Sequence, residues 1–351
     1  CCLGTTKGVL YCWSGGDIME KIKVNVSSSV ANILKKDMEL FGFFKGEDDI
    51  NTNKFINTLI ANYYDLIEEE KEKLTNDIAI IIKKNGQDEN EELSSLIAEY
   101  FLEYKFKDEL FDTSISFKPT SVSKEAFLNI EPSINKMGFS KYFRILFSSY
   151  AMKPQYNRER IIFKDKVSLI NDAIKNKHAL SLKQNDKRVF IFPYKLIFSG
   201  EELFNYLICF DESNKPISLR LSNIDGLVYT KKKFDLNADI KNKLDVLIKM
   251  GPQYAFDVTG VHEYAVKLTD KGLKMFKKIY IHRPKIDRKE DNILYFKCSY
   301  QQIYQYFFRF GKEAYVMYPN LLSKKMRKDY RDAANHYSFE YSLSQSHLIK
   351  D

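Results

Sequence analysis

Phe192-Pro193-Tyr194-Lys195-Leu196, Phe204-Asn205-Tyr206-Leu207-Ile208-Cys209-Phe210 and Ser218-Leu219-Arg220-Leu221-Ser222-Asn223-Ile224 are three closely spaced runs of aromatic and aliphatic residues. They belong to a series of strand-like runs at 179–183, 188–192, 203–210, 217–221 and 227–230. Turn residues at Asn185-Asp186, Ser199-Gly200 and Ser213-Asn214 separate them. A short amphipathic helix at 167–174 precedes the series. One helix followed by five short strands predicts a small closed barrel of Sm-like type. Strand alternation turns Arg220 away from the apolar face shared by Leu219 and Leu221, and places Tyr206 in the barrel wall. A guanidinium is a rigid donor fork for phosphate, and a tyrosine offers a stacking face with a hydroxyl. Lys183, Arg188 and Lys195 add positive charge around that pair, and all five are candidate ligand-binding residues.

Upstream, Lys21-Ile22-Lys23-Val24-Asn25-Val26 alternates polar and apolar, the pattern of a half-buried strand. Ser27, Ser28 and Ser29 are candidate N-caps for a helix carrying Val30, Leu34, Met38 and Phe41, which Gly42 ends. After a polar loop, Thr52 or Asn53 is a candidate cap for the next helix, with Phe55, Ile56, Leu59, Ile60, Tyr63 and Ile67 on its apolar stripe. The pattern returns. Ser114-Ile115-Ser116-Phe117-Lys118 alternates; Ala126, Ile130, Ile134 and Met137 precede Gly138 at the same offsets; Ser140 is a candidate cap before Tyr142, Phe143, Leu146, Phe147 and Tyr150. Copies at 20–67 and 113–152 thus flank a helical insert at 68–112. One strand and two helices cannot bury their apolar faces alone, whereas two copies can pair their strands under four helices.

The 44% hydrophobic and 29% charged content excludes wholesale disorder and collagen. The aliphatic run at 78–82 falls far short of the ~20 residues of a membrane-spanning helix. Five cysteines in 351 residues are no disulfide framework, and a cytoplasmic location is expected. Lys and Arg outnumber Asp and Glu by 55 to 47, a net charge of +8, which suits an anionic partner or reflects a Lys-rich, AT-rich coding bias. Residues 1–18 hold Cys1, Cys2 and Cys12 without amphipathic period. Gly15-Gly16-Asp17 ahead of Met19 is codable as a ribosome-binding sequence, so 1–18 are expected to be a non-native leader.

The strand motifs resemble the WYL-domain family, which shows a proline strand, a Trp-Tyr-Leu strand and a Phe-Arg-Leu-Asp-Arg-Ile strand. Tyr206 and Leu207 match the second and Arg220 the third. Asn205 stands in place of the Trp and Asn223 in place of the second Arg. The resemblance implies a polar, basic pocket lined by Tyr206 and Arg220 that senses nucleic acid or nucleotides. Phe310-Gly311-Lys312-Glu313-Ala314, Tyr318-Pro319 and the basic helix at 321–334 resemble the extension accompanying these domains, which implies an α+β layer that dimerises. The N-terminal unit resembles the ribbon-helix-helix fold, which implies that Lys21, Lys23, Asn25, Ser114, Ser116 and Lys118 face a nucleic acid, with the helix starts at Asn53 and Ser140 holding phosphates.

The expected fold is therefore α+β multidomain: a ribbon-helix-helix-like part at 19–160, an Sm-like barrel at 161–235 and a dimerising extension at 236–351. That order resembles the WYL accessory proteins of type VI-D CRISPR systems, through Arg158-Glu159-Arg160-Ile161-Ile162-Phe163, Asn205-Tyr206-Leu207 and Leu268-Thr269-Asp270-Lys271-Gly272-Leu273-Lys274-Met275-Phe276. It implies single-stranded RNA binding, stimulation of an RNA-guided CRISPR effector ribonuclease and a homodimer. The alternative is a transcriptional regulator whose ribbon reads duplex DNA while the pocket senses a ligand. A third reading is a protein-interaction scaffold.

No phosphate-binding loop or nucleophile elbow is present, and the five histidines and the cysteines show no metal-ligand spacing, so no enzyme activity, metal or cofactor is expected. Arg331 and His336 fit the Arg-x4-His spacing of HEPN ribonucleases and read as surface residues of the last helix. A second basic and aromatic stretch runs from Lys271 to Lys289, including Tyr280 and His282.

Overall fold

Apolar alternation decides where the first strand points. Ile22, Val24 and Val26 of β1 (Ile22–Val26) are buried, while Lys23 and Asn25 between them are exposed. The structure, a computed structural model, describes residues 21–46, 49–85, 91–104, 110–184, 187–254 and 263–348. The leader reading of 1–18, with its three cysteines, lies outside the described residues. The chain forms two compact units: one runs from the N-terminal side to Leu169 with Leu221–Ile224, and the other holds Ile170–Arg220 and the chain from Asp225 onward.

In the first unit, the Ser27 hydroxyl accepts from the Val30 amide and starts α1 (Ser28–Leu40). A two-residue antiparallel pair, β2 (Phe44–Lys45) and β3 (Asp49–Ile50), follows α1. Then come α2 (Thr52–Lys84), α3 (Glu91–Tyr104), β4 (Thr113–Phe117), α4 (Lys124–Met137), α5 (Phe139–Met152), α6 (Gln155–Ile162) and α7 (Lys164–Asn176), within which the unit boundary falls. β1 and β4 pair antiparallel, with Lys23 opposite Ser116 and Asn25 opposite Ser114. The two copies of the repeat thus share one ribbon, with α1, α2, α4 and α5 behind it.

Three local expectations are corrected. The first copy does not end at 67, because α2 continues unbroken to Lys84. Its cap is Asn51, whose side chain accepts from the Lys54 amide at 3.1 Å. Asn53 sits inside the first turn and accepts from the Lys118 amide at 2.6 Å, so it is spent on holding the end of β4. Ser140 is no cap either: α5 begins one residue earlier, after Gly138 at φ +86, a left-handed conformation that glycine adopts without strain. Neither Asn53 nor Ser140 is therefore the side-chain cap of its helix.

The buried centre of this unit is ionic. Asp37 on α1 is fully buried and receives Arg158 of α6 in two bonds, Nε to Oδ2 at 2.6 Å and Nη2 to Oδ1 at 3.0 Å, while the Tyr150 hydroxyl donates at 2.8 Å. Burial works against the Arg158 charge, but the Asp37 carboxylate outweighs it and holds the guanidinium pKa above its usual value. Burial, then Asp37, pushes the Tyr150 hydroxyl far up, so it stays a donor. The insert is tied in the same way, with Glu99 of α3 pairing Lys71 of α2 at 2.9 Å and Lys136 of α4 at 3.1 Å.

The second unit contains β5 (His178–Gln184), β6 (Lys187–Phe198), β7 (Asn205–Asp211), β8 (Pro216–Arg220) and β9 (Val228–Lys233). All five expected strands are present. They form a sheet ordered β8-β7-β6-β5-β9, and among the described residues no pairing of β8 with β9 closes it into a barrel. The run expected to stop at Phe192 extends to Phe198, because the register shifts between Pro193 and Lys195 and so absorbs a residue with no amide donor.

After α8 (Ala238–Met250) come β10 (Glu263–Leu268), α9 (Asp270–Lys278), β11 (Ile286–Glu290), β12 (Ile293–Lys297), α10 (Tyr300–Phe308), β13 (Ala314–Tyr318) and α11 (Asn320–Leu348). The antiparallel sheet is ordered β11-β12-β10-β13, the split βαβ arrangement. Tyr264, Phe276, Phe296, Tyr306 and Phe307 fill its core. Gly272 on α9 is required by packing, since a Cβ there would lie 2.2 Å from the Glu313 carbonyl oxygen. No described helix is long and apolar enough to cross a membrane.

Asp37→Ala or Arg158→Ala leaves an uncompensated buried charge and is expected to cost about 3–5 kcal/mol in urea denaturation. A loss below about 1 kcal/mol would show that the pair does not hold α1 to α6.

Candidate nucleic-acid interface

Two separate surfaces carry the residues singled out from sequence. On the ribbon, Lys21, Lys23 and Asn25 are exposed along β1, and Ser114 and Lys118 are exposed along β4 with Ser116 half-buried between them. Strand register brings all six onto the face opposite Val24, Ile115 and Phe117. Behind them, the buried Asn57 of α2 fixes the chain after β4. Its amide donates to the Lys118 carbonyl at 3.0 Å, and its oxygen accepts from Thr120 N at 2.9 Å and Ser123 Oγ at 2.5 Å. Arg144 of α5, which sequence reasoning passed over, donates to the Asn25 carbonyl at 3.1 Å and lies 4.0 Å over the Phe111 ring.

On the five-stranded sheet, Tyr206 and Arg220 are direct cross-strand neighbours in β7 and β8. Their surroundings differ from the expectation. Tyr206 is 7% exposed, and its hydroxyl donates to the Glu202 carboxylate. Its ring therefore does not stand open as a stacking platform. Arg220 is half-buried, with its guanidinium 3.2 Å over the Phe204 ring. Both captors come from the turn between β6 and β7, where Leu203 takes φ +61 and its amide bonds to the Ser199 carbonyl at 2.9 Å. That left-handed conformation costs a non-glycine residue roughly 1–2 kcal/mol. It lets Glu202 and Phe204 serve Tyr206 and Arg220 from either side of Leu203.

The cations expected around the pair are open, but the register sets Arg188 nine residues along β6 from Ile197, the residue opposite Tyr206. Lys183 and Arg188 face each other across β5 and β6, and both are exposed, as is Lys195. Arg188 reaches the Ser181 hydroxyl at 3.5 Å. Lys231, Lys232 and Lys233 on β9, the strand beside β5, extend the charge. Lys232 lies 4.7 Å over the Phe190 ring and pairs with Glu212 at 3.0 Å, an exposed contact worth little. The signal for these three was a plain run of lysines just past the expected end of the fifth strand.

Glu201, one residue before Glu202, is a polar hub of the second unit that no motif marked. Its carboxylate accepts from Tyr254 at 2.8 Å, Gln253 at 2.9 Å and His282 at 3.1 Å. Burial and then Glu201 push the Cys298 thiol up to about 12, and burial raises Cys209 further. Neither buried thiol is a thiolate nucleophile near neutral pH. Arg331 and His336 are both exposed on α11, while His262 lies outside the described residues. Among the described residues no group of three or more His, Cys, Asp or Glu is gathered as a metal site.

No protein-family model and no curated protein matches the chain. Among solved structures, one described as a CRISPR Cas-related protein superposes with a TM-score of 0.64 at 21% identity, over 96% of this chain and 97% of that chain. At that identity the likeness shows a shared fold along nearly the whole length. The proteasome accessory factor B/C of Arthrobacter aurescens aligns at a TM-score of 0.24 and 11% identity, over 93% of this chain and 51% of that one, too weak to bear on the fold.

Tyr206→Phe removes the hydroxyl that donates to Glu202 and is expected to lower unfolding stability by about 1.5–3 kcal/mol, the worth of a hydrogen bond to a charged group. Unchanged stability in urea denaturation would mean that water replaces the hydroxyl freely and that Tyr206 is not locked.

Proposed function

We propose that the chain is a non-enzymatic, dimeric accessory protein of a CRISPR system that binds single-stranded RNA and stimulates an RNA-guided effector ribonuclease. The observation that carries this reading is the end-to-end fold likeness to a protein described as CRISPR Cas-related. The WYL-like strand motifs support it, as does the surface around them, where Lys183, Arg188, Lys195 and the lysines of β9 are exposed beside half-buried Phe190. Cations interleaved with aromatic rings track a flexible strand by charge and stacking. Arg220, backed by Phe204, adds a guanidinium already oriented by its ring. The dimer reading is supported by the edge strand β13, which exposes Tyr315, Met317 and Tyr318.

A second reading has its own observation. The ribbon presents alternate polar side chains from two antiparallel strands, the geometry with which a β-ribbon enters a major groove. Under it the chain is a duplex-DNA regulator and the sheet is its ligand-sensing part.

Titration with matched single-stranded RNA and duplex DNA at several salt concentrations separates the two. The accessory reading expects RNA to be preferred. Replacing Lys183, Arg188 and Lys195 by Gln should lower RNA affinity about tenfold and flatten the log–log salt slope by about 2, at ~0.7 per lost contact. Lys21→Ala with Lys23→Ala should change RNA affinity less than about twofold. A duplex preference that the ribbon substitutions abolish would decide for the regulator. Added protein is expected to raise the cleavage rate of the cognate RNA-guided ribonuclease.

A further inference from the structure

The chain doubles back after α9. It turns through Tyr280 and His282, which sits at φ +58, and returns as the edge strand β11. Between α9 and β11 lies a cavity of about 610 Å³, within the ~300–1,000 Å³ range of small-molecule sites. Its lining divides by chemistry. Leu273 and Phe276 contribute to an apolar floor, and Lys277, Arg283, Lys285 and Lys289 supply four cations. None of the described lining residues is acidic. The two carboxylates of β11 are engaged elsewhere, Asp287 with Lys297 at 3.0 Å and Glu290 with Arg288 at 3.1 Å. Among the described residues, no carboxylate lies within ion-pair distance of Lys277, Lys285 or Lys289.

Arg283 is held in place. Its Nη1 donates to the Phe276 carbonyl at 3.3 Å, and its guanidinium lies 5.5 Å from the centre of the Phe276 ring. Phe276 is itself 6% exposed and stacked at 7° on Phe307, so the plane beneath Arg283 is rigid. A guanidinium plane backed by a fixed ring is a surface on which a nucleobase stacks. The three lysines around it match the charge of a phosphodiester. A carboxylate-rich peptide would satisfy the lysines but leave the apolar floor and the guanidinium plane without a partner.

We propose that this cavity is a nucleotide subsite, seating a phosphate on Lys277, Lys285 and Lys289 and its base on the Arg283 plane, and that in the working protein the nucleotide belongs to single-stranded RNA. The assignment of the strand rests on the RNA-binding reading above. The chemistry is shared by a free mononucleotide, and the experiment distinguishes the sources.

The full chain and its Lys277→Gln, Lys285→Gln, Lys289→Gln triple variant are titrated with a labelled oligouridylate, with uridine monophosphate by calorimetry, and with oligoglutamate as competitor. All three lysines are exposed, so the variant keeps the fold. The proposal expects RNA affinity to fall about tenfold and the salt slope to flatten by about 2 in the variant. It also expects uridine monophosphate binding to vanish in the variant, and oligoglutamate to compete poorly. Unchanged RNA affinity and slope, or displacement by oligoglutamate as effective as by RNA, overturns the subsite while leaving RNA binding by the chain intact. If the wild-type chain binds no RNA, the functional reading falls. The cavity is then a free-nucleotide site if uridine monophosphate binds and is lost in the variant, and is overturned if it does not bind.

Discussion

The register of β6, β7 and β8 governs what the second unit can offer a ligand. It sets Tyr206 directly opposite Arg220 and leaves the turn before β7 to supply Glu202 to one and Phe204 to the other. The Tyr206 hydroxyl is thereby satisfied inside the protein, and the Arg220 guanidinium is seated on the Phe204 ring. A buried hydroxyl left unpaired costs more than a paired one contributes, so the Tyr206–Glu202 bond is not readily surrendered to a ligand. The outward business of the sheet passes to groups that pay no such penalty: Lys183, Arg188 and Lys195, and the lysines of β9.

Much of the fold was legible because it is periodic. The equal offsets of Val30, Leu34 and Met38 before Gly42, and of Ala126, Ile130 and Ile134 before Gly138, announced two copies of one unit. Alternation in β1 and β4 announced a shared ribbon, which the pairing of Ile22 with Phe117 realises. Five strands between turn signals appear as five strands. What local pattern does not carry is where an element stops once tertiary contacts outweigh its own preferences. Asn53 looks like a cap, but the amide of Lys118 claims its oxygen. Nothing near residue 67 breaks α2, because the charged stretch that follows is itself a good helix former.

The candidate site was legible in composition and not in partners. Tyr206 and Arg220 were recognisable as chemistry, yet no spacing rule says that Glu202 captures the hydroxyl. The Asp37–Arg158 pair joins residues far apart in sequence, and Glu201 gathers Gln253, Tyr254 and His282 from two separate segments. The cavity beside α9 was half visible as a basic stretch. Its apolar floor and its segregation from the β11 carboxylates emerge only when α9 and β11 fold together.

Under the proposed function, exposed cations of the second unit and not the ribbon grip single-stranded RNA. Hydrogen exchange read by mass spectrometry, with and without saturating single-stranded RNA, tests this most directly. Slower exchange is predicted in peptides covering the β5–β6 turn and the return from α9 to β11, with β1 and β4 unchanged. Protection confined to β1 and β4, or absent from both segments of the second unit, would contradict it.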